Sequence, residues 1–142
     1  MEITVKADDS TPVYEQLVQQ VQTGVISGQL QPEGPLPPIR KLASQLGIHT
    51  NTVARAYRIL ERSRIIKTVG RKGTFIHPEA KMRINIRRNE LAKSRFSDLV
   101  DELMGNGLEA GSIRNIFDGV IHDKENETGE PNLAAVEVQE AS

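Results

Sequence analysis

The chain has no cysteine and no tryptophan, and aromatic residues make up 4% of it. Without thiols there is no disulfide framework and no thiolate metal site. With few aromatics and 37% apolar residues, a large core enclosing a substrate cavity is not expected. No run approaches the roughly 18–20 consecutive apolar residues needed to cross a bilayer. The opening MEITVKADDS has neither the basic start nor the apolar stretch of a secretory signal. These absences lead to the expectation of a soluble, cytoplasmic protein.

Catalytic constellations are missing too. His49, His77 and His122 lie far apart, without the i, i+4 spacing of a helical metal site. Asp98, Asp101 and Glu102 read as a solvated helix face. Gly70 and Gly73 do not open a phosphate-cradling loop between a parallel strand and a helix. The expectation is a protein that is not an enzyme and needs neither cofactor nor metal.

What the chain does have is segregated charge. Its net charge is −1 over 142 residues. Between Arg40 and Arg95, however, fifteen Lys and Arg face three acids, Glu61, Glu79 and Glu90. From His122 to Ser142 there are six acids and one lysine. A basic middle with an acidic end fits a nucleic-acid binder, although solvated helix faces would give a similar count.

The basic middle holds the most informative stretch, IRKLASQLGIHTNTVARAYR. Leu42, Leu46, Val53, Tyr57 and Leu60 can pack two short helices together, with Ala43 where they approach closely. Gly47 stands at the turn, where glycine accepts a positive φ. Thr50 is placed to cap the second helix or to contact DNA. That helix can enter a major groove and present its first turns to base edges.

The flanks complete a pattern. Ile3 and Val5 alternate with polar neighbours as a short edge strand would. Pro12 opens a helix at its first position, with a stripe of Val13, Leu17, Val21 and Val25. GQLQPEGPLPP reads as a loop. Ile65–Val69 and Thr74–Ile76 pair as a hairpin around Gly70-Arg71-Lys72-Gly73. The fold class expected is mainly α with a small β-hairpin: a winged helix-turn-helix domain over 1–78, then a two-helix dimerisation hairpin over 79–121. Ala92, Phe96, Leu99, Val100 and Leu103 share one helical face, and Ile113, Ile116, Phe117, Val120 and Ile121 share another. Two such helices leave apolar surface open, so Phe96, Leu99, Leu103, Ile113, Ile116, Phe117 and Val120 are expected at a homodimer interface. Residues 122–142 are acidic and aperiodic, and disorder is expected there.

The residues carry a resemblance as well. PVYEQL from Pro12, Leu36-Pro37, IRKLA from Ile39, Leu46-Gly47, Asn51-Thr52-Val53, Arg55-Ala56-Tyr57, Leu60-Glu61 and GTFI from Gly73 closely resemble the GntR family of bacterial transcription regulators. The short helical C-terminal part is similar to the YtrA subfamily. The resemblance implies a homodimer that binds a palindromic operator, usually to repress its target. Glu33, Pro38 and Arg64 depart from the family pattern, which commonly has glycine, Ser or Thr, and glycine there.

The site follows from chemistry and resemblance together. Arg40 matches the family's DNA-contacting arginine. Lys41, Arg58, Arg62, Lys67 and Arg64 are candidates for phosphate contacts. His49, Thr50, Asn51, Thr52 and Arg55 carry the directed donors and acceptors that base reading needs. Arg71 and Lys72 supply charge at the hairpin tip, and Gly73 allows its close approach. Val53, Tyr57 and Leu60 belong to the core. The partner expected is double-stranded operator DNA, and the sequence specifies no small-molecule effector. The alternative is a winged-helix module that binds protein or RNA without reading an operator.

Overall fold

The valine and leucine stripe after Pro12 builds helix α1 (Val13–Ser27), which buries Leu17, Val21 and Val25. The computed structural model describes residues 1–129. Strand β1 (Pro35–Leu36) follows, then α2 (Ile39–Leu46), α3 (Thr50–Arg62), β2 (Ile66–Val69) and β3 (Gly73–Ile76). Two further helices complete the described chain, α4 (Ala80–Gly105) and α5 (Ala110–Thr128). It divides into two units, one over Met1–Leu91 and one from Ala92 on.

In the first unit, α1, α2 and α3 enclose one core with the sheet. Val53, Ala56, Leu60 and Ile76 are fully covered, and Leu17 and Val21 are almost so. The hairpin forms as expected, with Ile66 opposite Ile76 and Val69 opposite Gly73. A single 3-10 turn, Gly70–Lys72, makes its tip.

The loop reading of GQLQPEGPLPP is corrected at one point. Pro35 and Leu36 pair with Phe75 and Thr74, giving a three-stranded antiparallel sheet with β3 in the middle. Glu33 N–H donates to the Ile76 carbonyl at 2.9 Å, and Ile76 N–H to the Gly34 carbonyl at 2.8 Å. Glu33 takes a φ of 65° there, and Arg64 takes 57° where α3 gives way to the hairpin. These are two of the positions at which the resemblance implies glycine. A side chain in that region costs about 1 kcal/mol or more.

Ile3 and Val5 do not form a strand. They are half-buried in an extended segment whose partners are side chains of α1. Thr4 N–H donates to Gln20 Oε1 at 3.0 Å, and Lys6 N–H to Gln16 Oε1 at 2.9 Å. The alternation is real, but the segment's backbone is satisfied by two glutamines one helical turn apart. Pro12 and Pro38 stand immediately before their helices rather than at the first helical position. The carbonyl of each accepts from the first turn, Pro12 from Gln16 N–H and Pro38 from Leu42 N–H, both at 3.0 Å.

The first unit also runs past Pro78. Ala80 and Ile84, in the opening turns of α4, are buried with the core, so the apolar interior closes with the start of a helix that was expected to belong wholly to the dimerisation hairpin. In the second unit α4 ends at Gly105, and Ile113 is the buried hydrophobic residue among those described there. The Phe96 and Phe117 rings meet edge to face, with centroids 5.5 Å apart.

Disorder from His122 onward is contradicted over its first part, since α5 continues to Thr128 and ends at Gly129 with φ 69°. Extending a formed helix is cheap, and side-chain pairs favour it here. Lys124 Nζ lies 3.2 Å from Glu127 Oε2, and Asn126 Nδ2 lies 3.2 Å from His122 Nε2. The rest of the acidic segment lies outside the described residues. No helix among the described residues is long and apolar enough to cross a membrane.

Candidate nucleic-acid interface

Helix α3 is divided lengthwise. Val53, Ala56, Tyr57 and Leu60 are buried, while Asn51, Arg55 and Arg58 are exposed. The spacing 51, 55, 58 keeps those three on one face. The turn that sets α3 against α2 depends on Gly47, which ends α2 at φ 65°. Its N–H donates to the carbonyls of Ala43 and Ser44, and Ile48 N–H reaches the Ala43 carbonyl at 3.0 Å. A Cβ at that φ would be strained.

Tyr57 ties α3 to the start of α2. Its hydroxyl donates to the Pro37 carbonyl at 2.6 Å. Burial pushes the Tyr57 phenol up to about 12, so it remains a donor at physiological pH. Arg40 and Lys41 follow, exposed in the first turn of α2.

Thr50 is not the cap. The residue before α3 is His49, with extended backbone and no side-chain capping hydrogen bond. Its carbonyl accepts instead, from Thr52 N–H at 3.1 Å. His49 and Thr50 are both exposed, and Thr52 is half-buried. The first N–H groups of α3 and the Thr50 hydroxyl thus remain open to an acceptor outside the chain.

Arg55 has a partner that sequence reasoning missed. Its guanidinium carbon lies 3.8 Å from the centroid of the Tyr14 ring. Tyr14 stands in the first turn of α1, which packs against α3, so the stack joins residues forty-one positions apart in sequence. A guanidinium over an aromatic face gains about 0.5–1 kcal/mol at an exposed site and loses rotational freedom. The remaining N–H groups of Arg55 are then offered in a narrower range of directions. The legible part of this signal was the pair of residue types; their contact needed the fold.

Arg71 and Lys72 are exposed on the hairpin turn, and Gly73 is half-buried with φ 117°. Lys67, a phosphate candidate, is engaged within the chain, its Nζ 2.6 Å from Glu33 Oε2 and 2.8 Å from Oε1. Arg62 and Arg64 lie at the far end of α3 from Asn51. In the second unit, Phe96, Leu99, Ile116, Phe117 and Val120 are exposed, between 45% and 50%. Ile113 is already covered at 7%, and Leu103 is half-buried. Ile113, expected at the dimer interface, is thus mostly covered within a single chain. Among the described residues there is no group of three His, Cys, Asp or Glu that could hold a metal ion.

Three helices, a hairpin wing and an α3 that turns polar and basic groups outward define a winged helix-turn-helix transcription regulator. The family profile described as "Bacterial regulatory proteins, gntR family" matches residues 13–76. The transcriptional repressor YtrA of Bacillus subtilis is 34% identical over 107 residues, 75% of this chain and 82% of YtrA. The chain therefore belongs to the GntR family, and its likeness to YtrA runs over most of both chains. The transcriptional regulator Rv1152 of Mycobacterium tuberculosis is 51% identical over 76 residues, a match spanning 54% of this chain and 61% of Rv1152. A crystal structure of a transcriptional regulator from Oenococcus oeni superposes with a TM-score of 0.65 at 32% identity, covering 82% of this chain and 97% of that one.

Proposed function

We propose that the protein is a cytoplasmic repressor that binds a palindromic operator as a homodimer, without catalysis of its own. The observation that carries this reading is the division of α3, apolar inward and Asn51, Arg55 and Arg58 outward. Asn51 can pair bidentately with adenine and Arg55 with guanine, while the Thr50 or Thr52 methyl can touch a thymine methyl. Arg40, Lys41, Arg58, Arg71 and Lys72 would neutralise phosphates and fix the register. His49 stands beside the open N–H groups of α3, which favour an anionic phosphate oxygen. Gly73 would let the wing approach the backbone closely.

The homodimer is supported by the apolar residues the second unit leaves uncovered, since two symmetric copies would present two reading helices to two half-sites. Selecting bound sequences from a random duplex pool tests the reading directly. The expected product is an inverted repeat, bound with an affinity that falls steeply as salt rises. Enrichment of no sequence, together with salt-independent or absent duplex binding, would leave a module that binds protein instead.

A further inference from the structure

A cleft of about 510 Å3 opens on the first unit at the C-terminal end of α3. Five arginines line it: Arg62 and Arg64 from the end of α3 and the turn beyond, and Arg83, Arg87 and Arg88 from α4. The acid among the lining residues is Glu90. Ile65, Ile84, Ile86 and Leu91 supply an apolar wall.

The charges here are mostly unspent. Arg83 is held by Glu79, with Nη2 3.2 Å from Oε2. Arg62, Arg64, Arg87 and Arg88 have no ion pair among the described residues. Arg64 adds a second observation, because it keeps a long side chain at a φ of 57°. Glu33 is the other non-glycine residue with positive φ, and its side chain is used by Lys67. The Arg64 side chain has no such internal use, yet it lines the cleft.

This cleft is also remote from the reading end of α3. At 1.5 Å per residue, Arg62 lies about 18 Å along the helix from Thr50. That separates the cleft from the first turn of α3 by more than the roughly 8–10 Å over which exposed charges act at physiological salt, whereas Arg58 lies one helical turn from Arg62, about 6 Å along the axis. Five guanidinium groups gathered around a single lining acid match an anion with several oxygens, which can take paired N–H groups from more than one arginine. The apolar wall leaves room for an uncharged portion of the same molecule.

We propose that this cleft binds a small phosphate-bearing molecule at a site separate from the base-reading end of α3. Calorimetric titration of the full chain with pyrophosphate, at fixed ionic strength, reads this out. Saturable binding of one pyrophosphate per chain is expected. The double substitution Arg62→Gln with Arg87→Gln should weaken it about tenfold or more, the loss of charge-assisted hydrogen bonds. Arg40→Gln should leave it unchanged. The Lys versions of the same double substitution keep the charge and should retain saturable binding, which separates loss of the site from loss of the fold. Absence of saturable binding below about 10 mM would overturn the proposal. So would an equal loss in Arg40→Gln, or one-for-one displacement of pyrophosphate by a short duplex, since the anion would then be sitting on the DNA face.

Discussion

The first unit and the second treat their apolar residues in opposite ways. From Leu17 to Ile84, the core of the first unit gathers residues from three helices and a sheet, and Val53, Leu60 and Ile76 see no solvent at all. In the second unit, two helices of good amphipathic pattern bury Ile113 and leave Phe96, Leu99, Met104, Ile116, Phe117, Val120 and Ile121 between 42% and 50% exposed. Patterning alone does not close a core. A helix hairpin has two apolar stripes but can cover only the strip where they meet, whereas three helices and a sheet surround a volume. A surface this apolar on a regulator marks a place where something docks, and a second copy is the occupant proposed above.

Phe117→Glu is the sharpest way to break the contrast. The ring is 45% exposed, so the helices keep their main buried contact at Ile113. A charge in an apolar interface should disperse the dimer. Binding to a duplex with two half-sites should then weaken by about 10²–10⁴-fold, the gain that linking two binding events provides. Sedimentation checks the first effect and fluorescence anisotropy the second. A dimer that survives would move the interface away from this face.

Truncating a leucine in each unit sharpens the same comparison. Leu60→Ala opens a cavity in a closed core and should destabilise the first unit by about 2–5 kcal/mol. Leu99→Ala, at a position 46% exposed in one chain, should cost that much only where a partner covers it. Thermal melts across a range of protein concentration distinguish the two. The Leu60 variant loses stability at every concentration, and the Leu99 variant loses mainly the concentration dependence.

How much of this was legible in the sequence also divides by region. The helix-turn-helix was, because its contacts are local: Leu42, Ala43, Val53, Tyr57 and Leu60 lie within twenty residues and are buried as their spacing required. The wing was legible for the same reason. Strand β1 was not, since Pro35-Leu36 sits in a proline-rich stretch and becomes a strand through pairing with Phe75 and Thr74. The start of α4 is so rich in charge that no apolar stripe announces it, and Ala80 and Ile84 are too few to draw the pattern. Acidic composition was mistaken for disorder over 122–128, where i, i+3 and i, i+4 side-chain pairs sustain the helix. In the candidate site, the exposed residues of α3 were readable from periodicity. The Tyr14 stack under Arg55 was not, because it needs α1 laid against α3.

That stack yields a smaller prediction within the first unit. Arg55→Ala should weaken operator binding by about 1–3 kcal/mol more than binding to random duplex, if the guanidinium reads a base. Tyr14→Leu should reproduce part of that selective loss while leaving every donor on α3 in place. Equal losses on operator and random duplex would make Arg55 a phosphate contact.

The smallest effect concerns Arg64, and it runs toward greater stability. At φ 57° the backbone of this residue favours glycine. Arg64→Gly should relieve about 1 kcal/mol or more of strain, less the roughly 0.4–1 kcal/mol that glycine adds to the freedom of the unfolded chain. The melting temperature of the first unit should therefore rise, by a few degrees at most. Arg64 N–H donates to the Glu61 carbonyl at 3.0 Å, a bond glycine can keep. If the same variant binds pyrophosphate less well while melting higher, the side chain is retained for the cleft at the expense of the fold. A variant that melts lower would mean that packing of the arginine stem outweighs the backbone strain.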